Sequence, residues 1–216
     1  LAFKVMEDVR KGKGIRVDDA EKLREKDVPE WYIDSCQKIK YMFPKAHAVA
    51  YVLMAVRIAW FKVHHPLAFY ATYFTVRATE FEAQLMVKGL AAQKAYLNEL
   101  AQRGNALTAK EKSQQAIVEI GVEMYLRGYT FQKVDIYKSD ATKFKIIGNE
   151  LLPPVASLQG LGDSAGKGIV EARKEGEFLS IEDLRIRAKI SKTVIEILKE
   201  HGCLDGMPED DQVSLF

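Results

Sequence analysis

The chain has 216 residues, 48% of them hydrophobic, and 32 basic against 30 acidic residues leave a formal charge of +2. That is enough apolar material for one or two folded cores. Two cysteines, Cys36 and Cys203, far apart and without paired spacing, exclude a zinc cluster and a disulfide framework and point to a reducing, cytoplasmic setting.

The order of the chain begins with LAFKVMEDVRKGKG, a helical pattern already under way at Leu1, which suggests a piece of a longer chain. No charged leader with an apolar run and cleavage site opens it, so a soluble protein that is neither exported nor membrane-bound is expected. Gly12 and Gly14 end the first helix, and Asp18 or Asp19 starts a second that reaches about Lys26. Pro29 then opens a helix with Trp31, Ile33 and Ile39, expected to pack beside the segment that follows.

That segment, YMFPKAHAVAYVLMAVRIAWFKVHHP from Tyr41 to Pro66, is a long helix bracketed by prolines. Between Ser35 and Thr79 there is no Asp or Glu, where about six would be expected at this composition. Lys38, Lys40, Lys45, Arg57, Lys62 and Arg77 stand in the same interval with His47, His64 and His65, so its natural complement is anionic. Pro44 suits a first helical position, which places the free amides and the positive dipole end near Lys45 and His47, where a phosphate would be held. The helical period puts His47, Tyr51, Met54, Ile58 and Lys62 on one side. Val49, Leu53, Val56, Trp60 and Val63 form a second, apolar stripe expected to face a core. The charges of Arg57 and Lys62 interrupt the helix as a membrane span.

After Pro66 comes a helix to about Arg77 whose Phe69, Tyr70, Tyr73 and Phe74 suit a core better than base stacking. Helical patterns run over 80–103 and 108–127, with Gly104-Asn105 as the stop between them and a capping box at Thr108 and Glu111. Alternation over 130–137 and 142–147, followed by Gly148-Asn149, predicts a short β-hairpin connector. Beyond Pro153-Pro154, Leu158-Gln159-Gly160-Leu161-Gly162 leads into a helix over about 163–174. A second helical pair follows over 181–201, with a weaker turn near Lys189 to Lys192. This has the form of a helix-hairpin-helix unit, in which turn amides at a helix N-terminus hold duplex phosphates without reading bases. Eight basic and eight acidic residues balance between Gln159 and His201, so binding would rest on the amides and on a few lysines such as Lys167 and Lys192. The tail from Asp205 is acidic without one basic residue and ends Gln212-Val213-Ser214-Leu215-Phe216.

FPKAHAVAY with KVHHP, EWYIDSCQKIKYM before them, PVASLQGLGDSAGKGIVEAR later and the terminal QVSLF together resemble the bacterial DNA polymerase III alpha subunits, most closely the PolC type, over essentially the whole chain. The resemblance implies a mainly α fold laid out as follows: 1–79, the latter part of the polymerase fingers; 80–150, a helical connector with a β-hairpin; 151–205, the helix-hairpin-helix region; 206–216, a flexible clamp-binding tail. It implies nucleotidyl transfer to a primer end, with magnesium held by palm aspartates that this stretch lacks, so the piece alone is expected to be inactive. The nucleotide-binding candidates are Phe43, Lys45, His47 and Tyr51, with Arg57, Lys62 and His64 weaker. Gly160, Leu161, Gly162, Lys167 and Lys192 are the duplex candidates, and Gln212, Leu215 and Phe216 resemble a sliding-clamp motif. The implied partners are primer-template DNA, deoxynucleoside triphosphates, the sliding clamp and other replisome subunits. The rival reading is a non-enzymatic helix-hairpin-helix adaptor tethered to the clamp, and a third is a helical scaffold with neither affinity.

Overall fold

The computed structural model of the chain describes residues 1–42 and 44–210. Among them are eleven α-helices and one three-stranded sheet, the mainly α architecture that the helical periodicity predicts. The chain divides into two compact units, Leu1–Ala59 and Trp60–Phe216.

The first unit holds α1 (Ala2–Arg10), α2 (Val17–Arg24), α3 (Glu30–Lys38) and most of α4 (Lys45–His64). Val5, Val9, Ile15, Ala20, Leu23, Ile33 and Cys36 close a small core. Asp18 and Asp19 do not cap α2. They sit in its first turn, where the helix dipole favours acids, and Asp19 is buried against Lys4 at 2.5 Å.

No residue of α4 is buried. The stripe expected to face a core is open to solvent, from Leu53 at 48% to Val63 at 67% exposed. A hydrophobic period records that a face is to be covered, not by which part of a protein. By length and composition α4 could also cross a membrane, although Lys45, Arg57 and Lys62 stand along it.

The second unit is built on α5 (Pro66–Val76), α6 (Ala83–Met86), α7 (Leu90–Arg103) and α8 (Ala109–Leu126). Pro66 occupies the first position of α5, where a missing N–H costs nothing. Tyr70 and Phe74 are buried and Phe69 and Tyr73 half-buried against the same core, as the sequence predicts for these aromatics. Phe74, Phe81, Phe131 and Phe144 meet at ring separations of 4.9 to 6.2 Å, mostly edge to face. The capping box at the start of α8 is formed on both sides by Thr108 and Glu111. It holds the Glu111 carboxyl down at about 2, with the Thr108 amide as the main cause.

A hairpin is present, but it does not pair the two alternating runs: it turns at Gly148-Asn149, with β2 (Lys145–Ile147) antiparallel to β3 (Glu150–Leu152) and Ile146 opposite Leu151. Most of the alternating run over 130–137 is not strand. Only β1 (Thr130–Phe131) pairs, parallel to β3, in the order β1-β3-β2. Val134 and Ile136 are still buried, so the alternation is real. What ends the ladder is side-chain competition. The Asp135 carboxylate accepts from the amides of Tyr137 and Lys138, and that of Asp140 from Thr142 and Lys143, turning the chain twice.

A short 3₁₀ turn over Val155–Ser157 leads through residues 158–162 into α9 (Asp163–Ala172), followed by α10 (Ile181–Ala188) and α11 (Lys192–Glu200). One core runs through all of this, from Tyr70 by way of Phe131, Leu151 and Ile169 to Leu198 and Leu204. The acidic stem, expected to be flexible from residue 206, is tied down as far as Glu209. The carbonyls of Pro208 and Glu209 accept from the Ile181 and Glu182 amides, and Lys199 pairs with Glu209 at 2.6 Å.

His201, buried at the end of α11, accepts from the Val134 N–H through Nε2 at 3.2 Å. Burial, helped by Lys133, lowers its pKa below the ordinary 6.5. The stabilisation from neutral His201 is therefore fully present above pH 6.5 and is lost as pH falls through the lowered folded value. His201→Leu is expected to cost about 1–3 kcal/mol at neutral pH by orphaning that N–H. It is also expected to remove this part of the acid sensitivity, as checked by urea unfolding of both chains at pH 7.5 and pH 5.5.

Candidate functional site

Two sets of sequence candidates can be placed, one on α4 and one around the 158–162 turn. On α4, His47 and Tyr51 are one turn apart, and their rings meet at 4.6 Å with an interplanar angle of 61°. Lys45 opens the helix, and the Ala48 amide donates to the Pro44 carbonyl, which puts Pro44 immediately before the first turn rather than in it. A basic side chain, an imidazole and a phenol thus stand within the first two turns of a helix with no acid in its first turn, the imidazole and phenol in contact. This is a suitable cradle for a phosphate or polyphosphate. Phe43 lies outside the described residues. Arg57 lies along the same helix, and Lys62 and His64 stand about four turns beyond His47. Lys62 is committed elsewhere: its ammonium pairs with Glu123 of α8 at 2.7 Å and lies 5.2 Å from the centre of the Phe69 ring. His64 packs on Trp60 at 4.7 Å. The structure therefore pairs His47 with Tyr51, places Lys45 at the same helix end but two residues from His47 and so on another face, and gives Lys62 and His64 other partners.

In the second set, Gly160 and Gly162 differ in their reasons. Gly160 has φ +88°, and a Cβ there would stand 2.9 Å from Ile197 of α11, so the turn requires glycine. Gly162 has φ −79° and open space where its Cβ would be. Any residue fits Gly162 by backbone, and what glycine supplies is an unobstructed approach to the helix. Leu161 is buried in the core and its N–H donates to the Leu158 carbonyl, so it closes the turn. Lys167 and Lys192 are exposed on α9 and at the start of α11.

The three helices here begin differently. The first amides of α10 are occupied by the Pro208 and Glu209 carbonyls and by Ser180, and α11 is capped by Ser191. No side chain caps α9, and among the described residues the N–H groups of Gly162, Asp163, Ser164 and Ala165 have no protein partner. The open donors thus face out where the glycine turn leaves room.

Sequence reasoning missed the residues that hold this arrangement. Arg187 donates to the carbonyls of Ala172, Gly176 and Glu177, with its guanidinium 4.8 Å from the Phe178 ring. Arg173 donates to the Ile136 carbonyl at 2.6 Å, and burial lowers its pKa. Gly166 allows the 140–143 turn to touch α9, since a Cβ there would stand 3.0 Å from the Ala141 carbonyl. The Gly162-Gly166 spacing of one helical turn was the available signal for that contact. Gln212, Leu215 and Phe216 lie outside the described residues. Among the described residues no three His, Cys, Asp or Glu side chains converge as metal ligands.

Comparison with known proteins agrees with these features. Residues 128–213 match the helix-hairpin-helix motif family. The whole chain is 60% identical to the PolC-type DNA polymerase III of Clostridium perfringens over 215 residues, and 56% identical to those of Bacillus subtilis and Listeria innocua over 216. It spans 15% of the length of each of these relatives. Identity at this level over every part of the chain, with the helix-hairpin-helix region in place, shows that the chain belongs to the bacterial PolC-type DNA polymerase III family.

Proposed function

We propose that the chain is the part of a replicative DNA polymerase that contributes incoming-nucleotide binding, a sequence-independent grip on duplex DNA and attachment to the sliding clamp. The observation that carries the reading is the open N-terminus of α9. It is left uncapped beside a turn that demands glycine, in a chain 60% identical over its length to a PolC-type polymerase. Amides at such a helix end hold phosphate oxygens and carry no base preference, which suits an enzyme that must follow any sequence.

Lys45 and His47 take the triphosphate side of a deoxynucleoside triphosphate, with Phe43 and Tyr51 shaping the sugar or base side and Arg57, Lys62 and His64 in weaker supporting roles. Gly160, Leu161 and Gly162 form the duplex turn, with Lys167 and Lys192 adding charge. Gln212, Leu215 and Phe216 dock in an apolar pocket of the clamp. Two-metal phosphoryl transfer, with magnesium as in polymerases generally, takes place on residues of the longer protein. Primer-template DNA and other replisome subunits are its partners, its place is the cytoplasm, and no membrane takes part.

The test is primer extension by the full-length protein, with and without residues 212–216, and with and without a bacterial sliding clamp. Extension dependent on deoxynucleoside triphosphates, stimulated by the clamp only when those residues are present, is the expected result. No incorporation removes the polymerase reading and leaves the adaptor. Clamp stimulation that survives the deletion removes the tether.

A further inference from the structure

The helix-hairpin-helix segment has no excess of charge, with eight basic and eight acidic residues between Gln159 and His201. Duplex binding without base reading depends on positive charges that displace counterions from phosphates. If the open α9 amides hold one phosphate, the remaining charge has to come from an element beside them.

The loop between β1 and β2 has that charge. It carries Lys133, Lys138 and Lys143 with two aspartates, and Lys145 opens β2 directly after it, four lysines in all. Both aspartates are spent on the loop itself, Asp135 on the amides of Tyr137 and Lys138 and Asp140 on those of Thr142 and Lys143. Burial pushes the Asp140 carboxyl up, but those amides, with Lys145 and Lys143, outweigh it and hold it below the ordinary range. All four lysines are exposed. Lys138 leans back on Asp135 at 3.4 Å, and Lys145 donates to the Lys138 carbonyl at 2.8 Å, which gathers those two. Lys143 has no carboxylate within ion-pair distance among the described residues.

The loop also lies against the hairpin. The Val155 and Ala156 amides donate to the Asp140 and Ala141 carbonyls at 2.9 and 3.0 Å, just before the glycine turn. Ala141 rests on Gly166, one turn, or about 6 Å, into α9 from Gly162.

We propose that this loop is a second duplex-binding element, in which Lys143, with Lys138 on the same loop, contacts a backbone phosphate adjoining the one held at the α9 N-terminus. The inference rests on the duplex-grip reading of α9 and extends it to residues before the motif's hairpin. It assigns the contact to phosphate alone, so the loop adds affinity and salt sensitivity without sequence preference.

The experiment measures binding of the full-length protein to a primer-template duplex of arbitrary sequence, by fluorescence anisotropy over a series of potassium chloride concentrations. Lys138→Ala/Lys143→Ala is expected to reduce the slope of log affinity against log salt by about 0.9, the value for one lost phosphate contact. Lys174→Ala serves as the control, since its ammonium already pairs with Glu171 at 2.5 Å, and it is expected to leave the slope unchanged. A slope unchanged in the double variant, and also in Lys143→Glu, overturns the proposal. Gly162→Asp, measured in parallel, separates the two ideas. If it weakens binding while the lysine variants are silent, the hairpin grip stands and the loop contact falls. If the lysine variants lower the slope while Gly162→Asp is silent, the loop contact stands and the α9 phosphate site falls.

Discussion

In the full-length protein, Gly162→Asp is expected to leave the fold intact or slightly more stable and to weaken duplex DNA binding about 10- to 100-fold. The two effects have opposite sign for one reason. Gly162 is the residue preceding α9, with backbone angles any residue adopts and nothing within 4 Å of where a side chain would begin. Aspartate there would accept from the free first-turn amides, a gain of a few tenths of a kcal/mol over glycine at this position. The same carboxylate would occupy and repel the place of a phosphate. Hydrogen bonds to a charged group are worth about 1.5–3 kcal/mol, and each 1.4 kcal/mol is tenfold in affinity. The measurements are thermal unfolding and duplex titration of the same preparation. A variant that is folded, no less stable and equally tight on duplex DNA would rule α9 out as the phosphate site. Gly160→Val is a less clean probe, because it strains a turn at φ +88° and pushes on Ile197.

The contrast between these glycines shows how far the sequence could be read. A Gly-Leu-Gly run announces a tight turn, and the turn is there. It does not say which glycine is needed for conformation and which for access, since that depends on Ile197 arriving from another helix. The capping box at Thr108 and the proline that opens α5 were legible because what they act on lies within a few residues. The second half of the 130–137 alternation misled for the converse reason: Val134 and Ile136 reach the core as predicted, but His201 takes the Val134 amide and Asp135 that of Tyr137, which a strand would have paired. The stripe of Val49, Leu53, Val56, Trp60 and Val63 was read correctly as apolar and wrongly as covered within this chain. Periodicity carries no address for the covering surface. The lysines of the 133–145 loop were invisible as a site because only folding sets them beside α9, some twenty residues later in the chain.

The other large effect is expected at His47. In primer extension by the full-length protein, His47→Ala should raise the KM for deoxynucleoside triphosphate about tenfold or more while leaving duplex affinity nearly unchanged. A charge-assisted contact to a phosphate oxygen, lost without replacement, is worth about 1.5–3 kcal/mol. His47 sits in the first turn of α4, at the positive end of the helix dipole, and has the Tyr51 ring edge-on at 4.6 Å. Tyr51→Phe keeps that ring and should do less than Tyr51→Ala, which removes the wall that fixes the imidazole. A graded series in nucleotide KM, with duplex affinity constant, distinguishes a binding cluster from a merely structural helix end. An equal loss of nucleotide use and duplex binding would mean that α4 holds the fold of its unit rather than a substrate, and that the triphosphate is held by residues elsewhere in the longer protein.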